Sequence, residues 1–113
     1  MKTVFHVSDG ADDIQDAAIR YSGGIFEDDS VDIDAVAVVA NASGIGLVQS
    51  DSTYAEEIRS LSEGDVRFIA CEKSMEAAGL TVDDILDVVD TAPTSVGALT
   101  RLQDEGYRYI KVP

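Results

Sequence analysis

Four aliphatic residues in succession, Val36-Ala37-Val38-Val39, set the first limit on the fold. A β-strand shows successive side chains to opposite faces, so this run leaves neither face for water. Such a strand belongs inside a sheet covered on both sides, as in parallel sheets crossed by helices. The stretch before it alternates, Val31, Ile33 and Ala35 against Asp32 and Asp34, and the second strand is expected over Val31 to Ala40. Thr3 to Val7 reads as a first buried strand, apolar but for His6, and Val66 to Ala70 as a third. Val88-Val89 gives a minimal fourth strand. Tyr107 to Val112 gives a last one, alternating Tyr107, Tyr109 and Lys111 with Arg108, Ile110 and Val112.

Between these runs the apolar period lengthens to that of a helix. Ile14, Ala17, Ala18, Tyr21 and Ile25 recur on one helical face behind a capping-box pattern, Asp12 with Gln15, and Gly23-Gly24 loosen that helix late. Thr53 with Glu56 resembles a second box, for a helix turning Tyr54, Ile58 and Leu61 inward and stopping at Gly64. A short helix follows Cys71 to about Ala78, ended by Gly79, and Thr81 with Asp84 caps another through Leu86. Pro93 and Thr94-Ser95 open a helix with Val96, Leu99 and Leu102 inward, closed at Gly106. Strands alternating with helices imply right-handed crossovers. The expectation is a single domain over residues 1–113 with a flavodoxin-like three-layer α/β fold. Its mostly parallel sheet has about five strands, with helices on both faces.

Charge narrows the partners. Asp and Glu number 22 against 8 Lys and Arg, for a formal net charge of −14. That surface repels phosphate backbones and anionic lipid, which disfavours nucleic-acid and membrane roles. Fifteen of the acids are Asp and only three lysines occur, a balance suited to concentrated salt, where screening relieves self-repulsion. No apolar run approaches the ~20 residues of a membrane span. The first residues enter a strand pattern without the features of a signal peptide, so the expected compartment is the cytoplasm. One cysteine and one histidine leave no internal disulfide, no Cys-x-x-Cys pair and no convincing metal site.

Chemistry is expected at the carboxyl edge of the sheet, where ligands of open α/β folds collect. There the third strand ends at Cys71 and a helix starts, and a helix N-terminus favours the thiolate. Lys73 pushes the same way, Glu72 and Glu76 against it. The competing reading is that Cys71 is a small core hydrophobe. The same edge should gather Ser8-Asp9, the loop Asn41-Ala42-Ser43-Gly44-Ile45-Gly46, and Cys71 to Ser74. Gly44 and Gly46 either let backbone amides approach an anion or simply make a tight turn. His6 reads as a half-buried, hydrogen-bonded residue rather than a catalytic base. No P-loop or dinucleotide fingerprint is present, and a phospho-receiver reading fails because its acceptor Asp position holds Cys71.

Two motifs carry a resemblance: Ala70-Cys71-Glu72-Lys73-Ser74-Met75, and Leu102-Gln103-Asp104-Glu105-Gly106-Tyr107-Arg108-Tyr109-Ile110-Lys111. With Val4-Phe5-His6-Val7 and the 41–46 loop, they make the chain resemble the DsrE/DsrF-like family along essentially its whole length. The resemblance implies a flavodoxin-like fold, homo- or hetero-oligomers such as trimers or hexamers, no cofactor, and sulfur carried as a persulfide on Cys71. It also implies thiol-bearing donor and acceptor proteins as partners. Cys71 would be the catalytic residue of a sulfurtransferase subunit, with Asn41, Ser43, Gly44, Gly46, Lys73, Ser74 and His6 as binding residues around it. Amides of residues 72–74 and 44–46 would stabilise anionic sulfur. The alternative within the family is a non-catalytic oligomeric module binding a small ligand or protein, with Cys71 structural.

Overall fold

The computed structural model describes residues 1–113. Strands β1 (Lys2–Val7), β2 (Ala35–Ala40), β3 (Val66–Cys71), β4 (Asp90–Ala92) and β5 (Tyr107–Val112) alternate with helices α1 (Asp12–Gly24), α2 (Ala55–Ser62), α3 (Glu72–Ala77) and α4 (Ser95–Asp104). Short 3-10 segments cover Ile25–Glu27, Ala42–Val48 and Val82–Asp84. The strands form one sheet in the order β4-β3-β2-β1-β5, and every neighbouring pair is parallel. This is the three-layer α/β class expected from the patterning.

The strand order decides where the helices go. From β1 to β4 the chain steps across the sheet in one direction, then returns past three strands to lay β5 beside β1. Right-handed crossovers therefore put α1, α2 and α3 on one face and α4 alone on the other. The core divides accordingly. Phe5, Val7, Val36, Val38, Val66 and Phe68 pack with Ala17, Ala18, Ile58 and Met75 of the three helices. On the opposite face Val4, Ala37, Val39, Ile69 and Ala92 pack with Ala98 and Leu102 of α4. The Val36–Val39 run is wholly buried, as its lack of alternation requires.

Several local expectations need correction. The second strand starts at Ala35 rather than Val31, because β1 begins at Lys2 opposite Ala35 and the backbone pairing ends just outside it, with the Asp34 N–H donating to the Met1 carbonyl. Beyond it the Met1 ammonium donates to the Asp32 carbonyl and the Asp34 carboxylate across the sheet's end. The fourth strand is Asp90–Ala92, not Val88-Val89: the ladder pairs Ile69, Ala70 and Cys71 with Asp90, Thr91 and Ala92. Val89 is buried in the core as part of a turn, its N–H donating to the Leu86 carbonyl. In α4 the inward residues are Ser95, Ala98 and Leu102, while Val96 is 73 % exposed. Leu99 and Leu102 face the core as expected, and only at the first turn does Ser95 replace Val96 inward.

The expected boxes at Asp12/Gln15 and Thr53/Glu56 do not form. The caps of α1 and α2 are Ala11 and Tyr54, neither with a side-chain capping bond. Their N–H groups are taken by Asp9 and Ser52, two residues upstream. Thr81 and Asp84 do make a capping box, but it closes only a 3-10 turn.

Candidate functional site

Cys71 is the last residue of β3 and the N-cap of α3. By register with Ala92 and alternation from Ile69, its side chain faces the α4 side of the sheet. It is buried, 3 % exposed. Burial pushes a thiol pKa up, yet the net displacement is downward, because the hydroxyls and backbone amides of Ser74 and Ser95 act on the sulfur and outweigh it. They do so without a tight cap bond to the neutral thiol, an arrangement that charge on the sulfur would draw closer.

Both serines are prepared as donors by the loop that follows β2. The Ala42 N–H donates to Ser74 Oγ at 2.8 Å. The Asn41 side-chain amide donates to Ser95 Oγ at 3.0 Å. With an acceptor site of each hydroxyl so occupied, each O–H proton is free to turn to the sulfur. Ala42 reaches its position in a left-handed conformation, φ 49°, the single non-glycine residue with positive φ. Strain of that kind persists where surrounding structure enforces it, and collects at functional sites. Ser95 is the first residue of α4, held by Thr94, whose Oγ1 accepts from the Gly97 N–H at 3.0 Å.

The hydrogen bonds continue away from the thiol. Asn41 Oδ1 lies 2.9 Å from His6 Nε2, and His6 Nδ1 lies 2.7 Å from the Tyr109 hydroxyl. An amide oxygen facing Nε2 fixes the proton there, and Nδ1 then accepts from Tyr109. Desolvation is the main reason the His6 pKa lies below the ordinary histidine value; its bond to Asn41 pulls upward, and the nearby Lys111 charge adds to the lowering. His6 is thus the neutral tautomer at neutral pH. Lys111 donates to Ser8 Oγ at 2.6 Å, closing the rim beside it.

Of the residues proposed from sequence, His6 and Asn41 belong to one hydrogen-bonded file that ends at Ser95, and Ser74 accepts from the Ala42 N–H at the start of α3 beside Cys71. Ser43 does a different job, its Oγ accepting from the Gly10 N–H and tying the loop after β1 to the loop after β2. Gly44 is buried, and a β-carbon there would fall 2.2 Å from the Val7 carbonyl oxygen. Its smallness serves loop-to-strand packing rather than approach to an anion. Gly46 packs beside Gln15 of α1. Lys73 lies on the exposed first turn of α3, lining an open groove with Ala42, Ser43 and Ser74. Sequence reasoning missed Ser95. In a parallel sheet all strands end at the same edge, so the loop after β4 had the same claim to the site as the other three.

The model of the DsrE/DsrF-like family matches residues 2–112. The chain belongs to the DsrE/DsrF-like family. Among solved structures it is similar to the protein of unknown function MTH1491 from Methanobacterium thermoautotrophicum. That likeness has a TM-score of 0.89 at 30 % identity, over 97 % of each chain. It also resembles the conserved protein of unknown function BT1422 from Bacteroides thetaiotaomicron. There the TM-score is 0.70 at 14 % identity, covering 98 % of this chain and 94 % of that one, a likeness of fold. No curated protein matches. No helix of this DsrE/DsrF-like protein is long and apolar enough to cross a membrane.

Proposed function

We propose that this protein is a cytoplasmic sulfur-relay subunit that carries sulfane sulfur as a persulfide on Cys71. The observation that carries the reading is the convergence of Ser74 and Ser95 on one thiol, with a net lowering of its pKa despite burial. In the loading step the Cys71 thiolate attacks the outer sulfur of a donor persulfide, R–S–SH. The new bond is Cys71 S–S, the donor's S–S bond breaks, and its inner sulfur leaves as the thiolate R–S⁻. The proton stays on the transferred sulfur, and no external oxidant or reductant is consumed. An acceptor thiolate repeats the attack on Cys71–S–SH and restores the Cys71 thiolate.

With one cysteine the chain cannot resolve its own persulfide as an internal disulfide, so it serves as a carrier between thiol-bearing donor and acceptor proteins. A chain of net charge −14 makes such encounters best when salt screens its surface, consistent with life in concentrated salt. Assembly as a homo-oligomer, trimer or hexamer, is part of the same reading, with Tyr107 and Tyr109 on edge strand β5 available for contacts.

Burial favours a second reading, in which Cys71 is packing and the chain is a non-catalytic binding module. One experiment separates them: alkylation of Cys71 across pH, then mass measurement after incubation with a small-molecule persulfide. The relay reading expects alkylation without denaturant, a midpoint below roughly 8.5, and a gain of about 32 Da for one added sulfur atom. Alkylation only in denaturant, with no mass gain, establishes the packing reading.

A further inference from the structure

The two edges of the sheet are finished differently. β4 is three residues long, and its Asp90 is tied to Arg67. β5 runs six residues, pairs only with β1, and makes no backbone bond on its outer side. Four of its residues in succession, Arg108 to Lys111, are exposed. An edge of that length and openness is a template for one more strand. Beside it an open groove of about 370 Å³ runs between α1 and β5, lined by Phe5, Tyr21, Gly24, Ile25 and Ile110. Charge says what kind of strand fits. β5 holds two cations and no acid. Of the eight Lys and Arg residues only Arg20, Arg59 and Arg67 pair with a carboxylate, although 22 acids are present. Lys2, Arg108 and Lys111 do not, and all three lie at this edge, Lys2 over the Tyr107 ring. The charged residues on the groove's rim are already engaged, Arg20 with Asp16 and Asp28 with Ser30.

We propose that the outer edge of β5 docks an extended acidic segment of a partner protein, which adds to the sheet as a further strand. Residues opposite one another in a ladder share a face. By alternation Arg108 and Ile110 point to the α1 side, and Tyr109 and Lys111 to the other. The segment therefore carries carboxylates three residues apart, opposite Arg108 and Lys111. Between them an apolar residue covers Ile110 at the mouth of the groove. A second copy does not fit this edge. Two β5 edges brought together crowd like cations, with no acid in either strand. The one acidic stretch that alternates like a strand, Asp32-Ile33-Asp34, is held in its own chain by Met1. Contacts between copies through the Tyr107 and Tyr109 side chains use the face of β5 and not its edge. β1 and β2 stand between β5 and β3, so the docking is independent of Cys71 and of the relay reading.

The probe is a labelled peptide, Thr-Glu-Val-Val-Glu-Thr, whose palindrome serves either strand direction, set against Thr-Lys-Val-Val-Lys-Thr. Binding is read by fluorescence anisotropy at about 0.15 M salt, where screening over roughly 8 Å leaves only local charges in play. The net charge of −14 favours the lysine peptide, so a preference for the glutamate peptide reports the strip at β5. The glutamate peptide is expected to bind about tenfold tighter and to slow hydrogen exchange of the outward amides of β5. Arg108→Glu, at an exposed residue without a bonded partner, should weaken it about tenfold. Gly24→Leu should weaken it about threefold. Gly24 is helical, φ −65°, and a β-carbon there meets nothing within 4 Å, so leucine fills the groove without straining the fold. No binding, equal binding of the two peptides, or unchanged exchange in β5 overturns the proposal. So does an unchanged affinity in Arg108→Glu or in Gly24→Leu. A parent oligomer that Arg108→Glu disperses in light scattering gives the edge to a second copy, and overturns it as well. Persulfide loading of Cys71 is read separately by mass, and its failure refutes the relay function while leaving the docking edge intact.

Discussion

The two faces of the sheet are built to different plans. The face under α1, α2 and α3 holds a contiguous cluster of nineteen buried apolar residues, the face under α4 only seven. Phe5, Ile110 and Val112 point to the first face, and their neighbours His6, Tyr109 and Lys111 to the second, by the alternation of β1 and β5. One helix cannot cover five strands, so the second face keeps room at the sheet's carboxyl edge, and the polar file from Tyr109 through His6 and Asn41 to Ser95 lies there. The thickly covered face supplies stability and holds the strand ends in place. The thinly covered face uses that fixed edge to aim hydrogen bonds. Hydrophobic attraction has no direction and cannot set the orientation of a hydroxyl; hydrogen bonds can.

The contrast breaks if deleting a large side chain costs the same on both faces. Phe68 is fully buried beneath the three helices, and Phe68→Ala should cost about 3–5 kcal/mol, the largest effect expected here. Leu102 is equally inaccessible but belongs to the lone helix, which can settle toward the gap, so Leu102→Ala should cost about 2–3 kcal/mol. Urea unfolding of both variants, with unchanged slopes, measures the difference. Equal or inverted losses would mean that α4 is held as rigidly as the three-helix layer, and that the division into a stabilising and an aiming face is wrong.

How much of this arrangement was legible in the chain depended on whether a signal was local. The Val36–Val39 run, the end of β3 at Cys71 and the alternation of β5 are written within single segments, and they gave the sheet, its double cover and the position of the thiol. The loop after β2 was legible as part of the same edge because it directly follows a clear strand. Ser95 was not. Placing the fourth strand at Val88-Val89 put Ser95 well beyond the strand's end; in the ladder β4 ends at Ala92, three residues before it. A three-residue edge strand with only one buried side chain leaves almost no periodic trace. The first turn of α4 went astray for a related reason, though Leu99 and Leu102 face inward as expected. Val96 is the stronger hydrophobe, yet Ser95 faces inward because it has polar partners there, and pattern rules reward apolarity alone. The single file from Tyr109 to Ser95 joins residues up to 103 positions apart, so no local signal could have revealed it.

A second test sharpens the comparison at the start of α4. Of the four α-helices only α4 has a side-chain cap bond, from Thr94. The helix that stands alone on its face of the sheet is the one whose first turn is fixed by a specific bond. Thr94→Ala should cost about 1 kcal/mol of stability, less than either core deletion, and should raise the alkylation midpoint of Cys71 by loosening Ser95. Thr94→Ser, which keeps the accepting oxygen, should restore both. Loss of stability without any change in midpoint would show that the cap holds the helix but does not aim its first residue.

The smallest effect concerns the pH dependence of the second face, and its sign follows from His6. Desolvation lowers its folded pKa below the unfolded value, and the Lys111 charge lowers it further. Between the folded and unfolded values the unfolded chain binds the extra proton, so stability rises with pH across that window. The contribution is fully present above the unfolded value of about 6.5 and is lost as pH falls through the folded one. His6→Gln removes the group while keeping a donor to Asn41, so its urea midpoint should fall less than that of the parent between pH 7.5 and pH 5. Phe68→Ala should shift both curves down in parallel, since the apolar face has no titrating residue in its buried cluster. A parent and a His6→Gln variant losing stability in step would mean that His6 is protonated in the fold without penalty. In that case the neutral tautomer, and with it the donor direction from Tyr109 toward Ser95, would have to be given up.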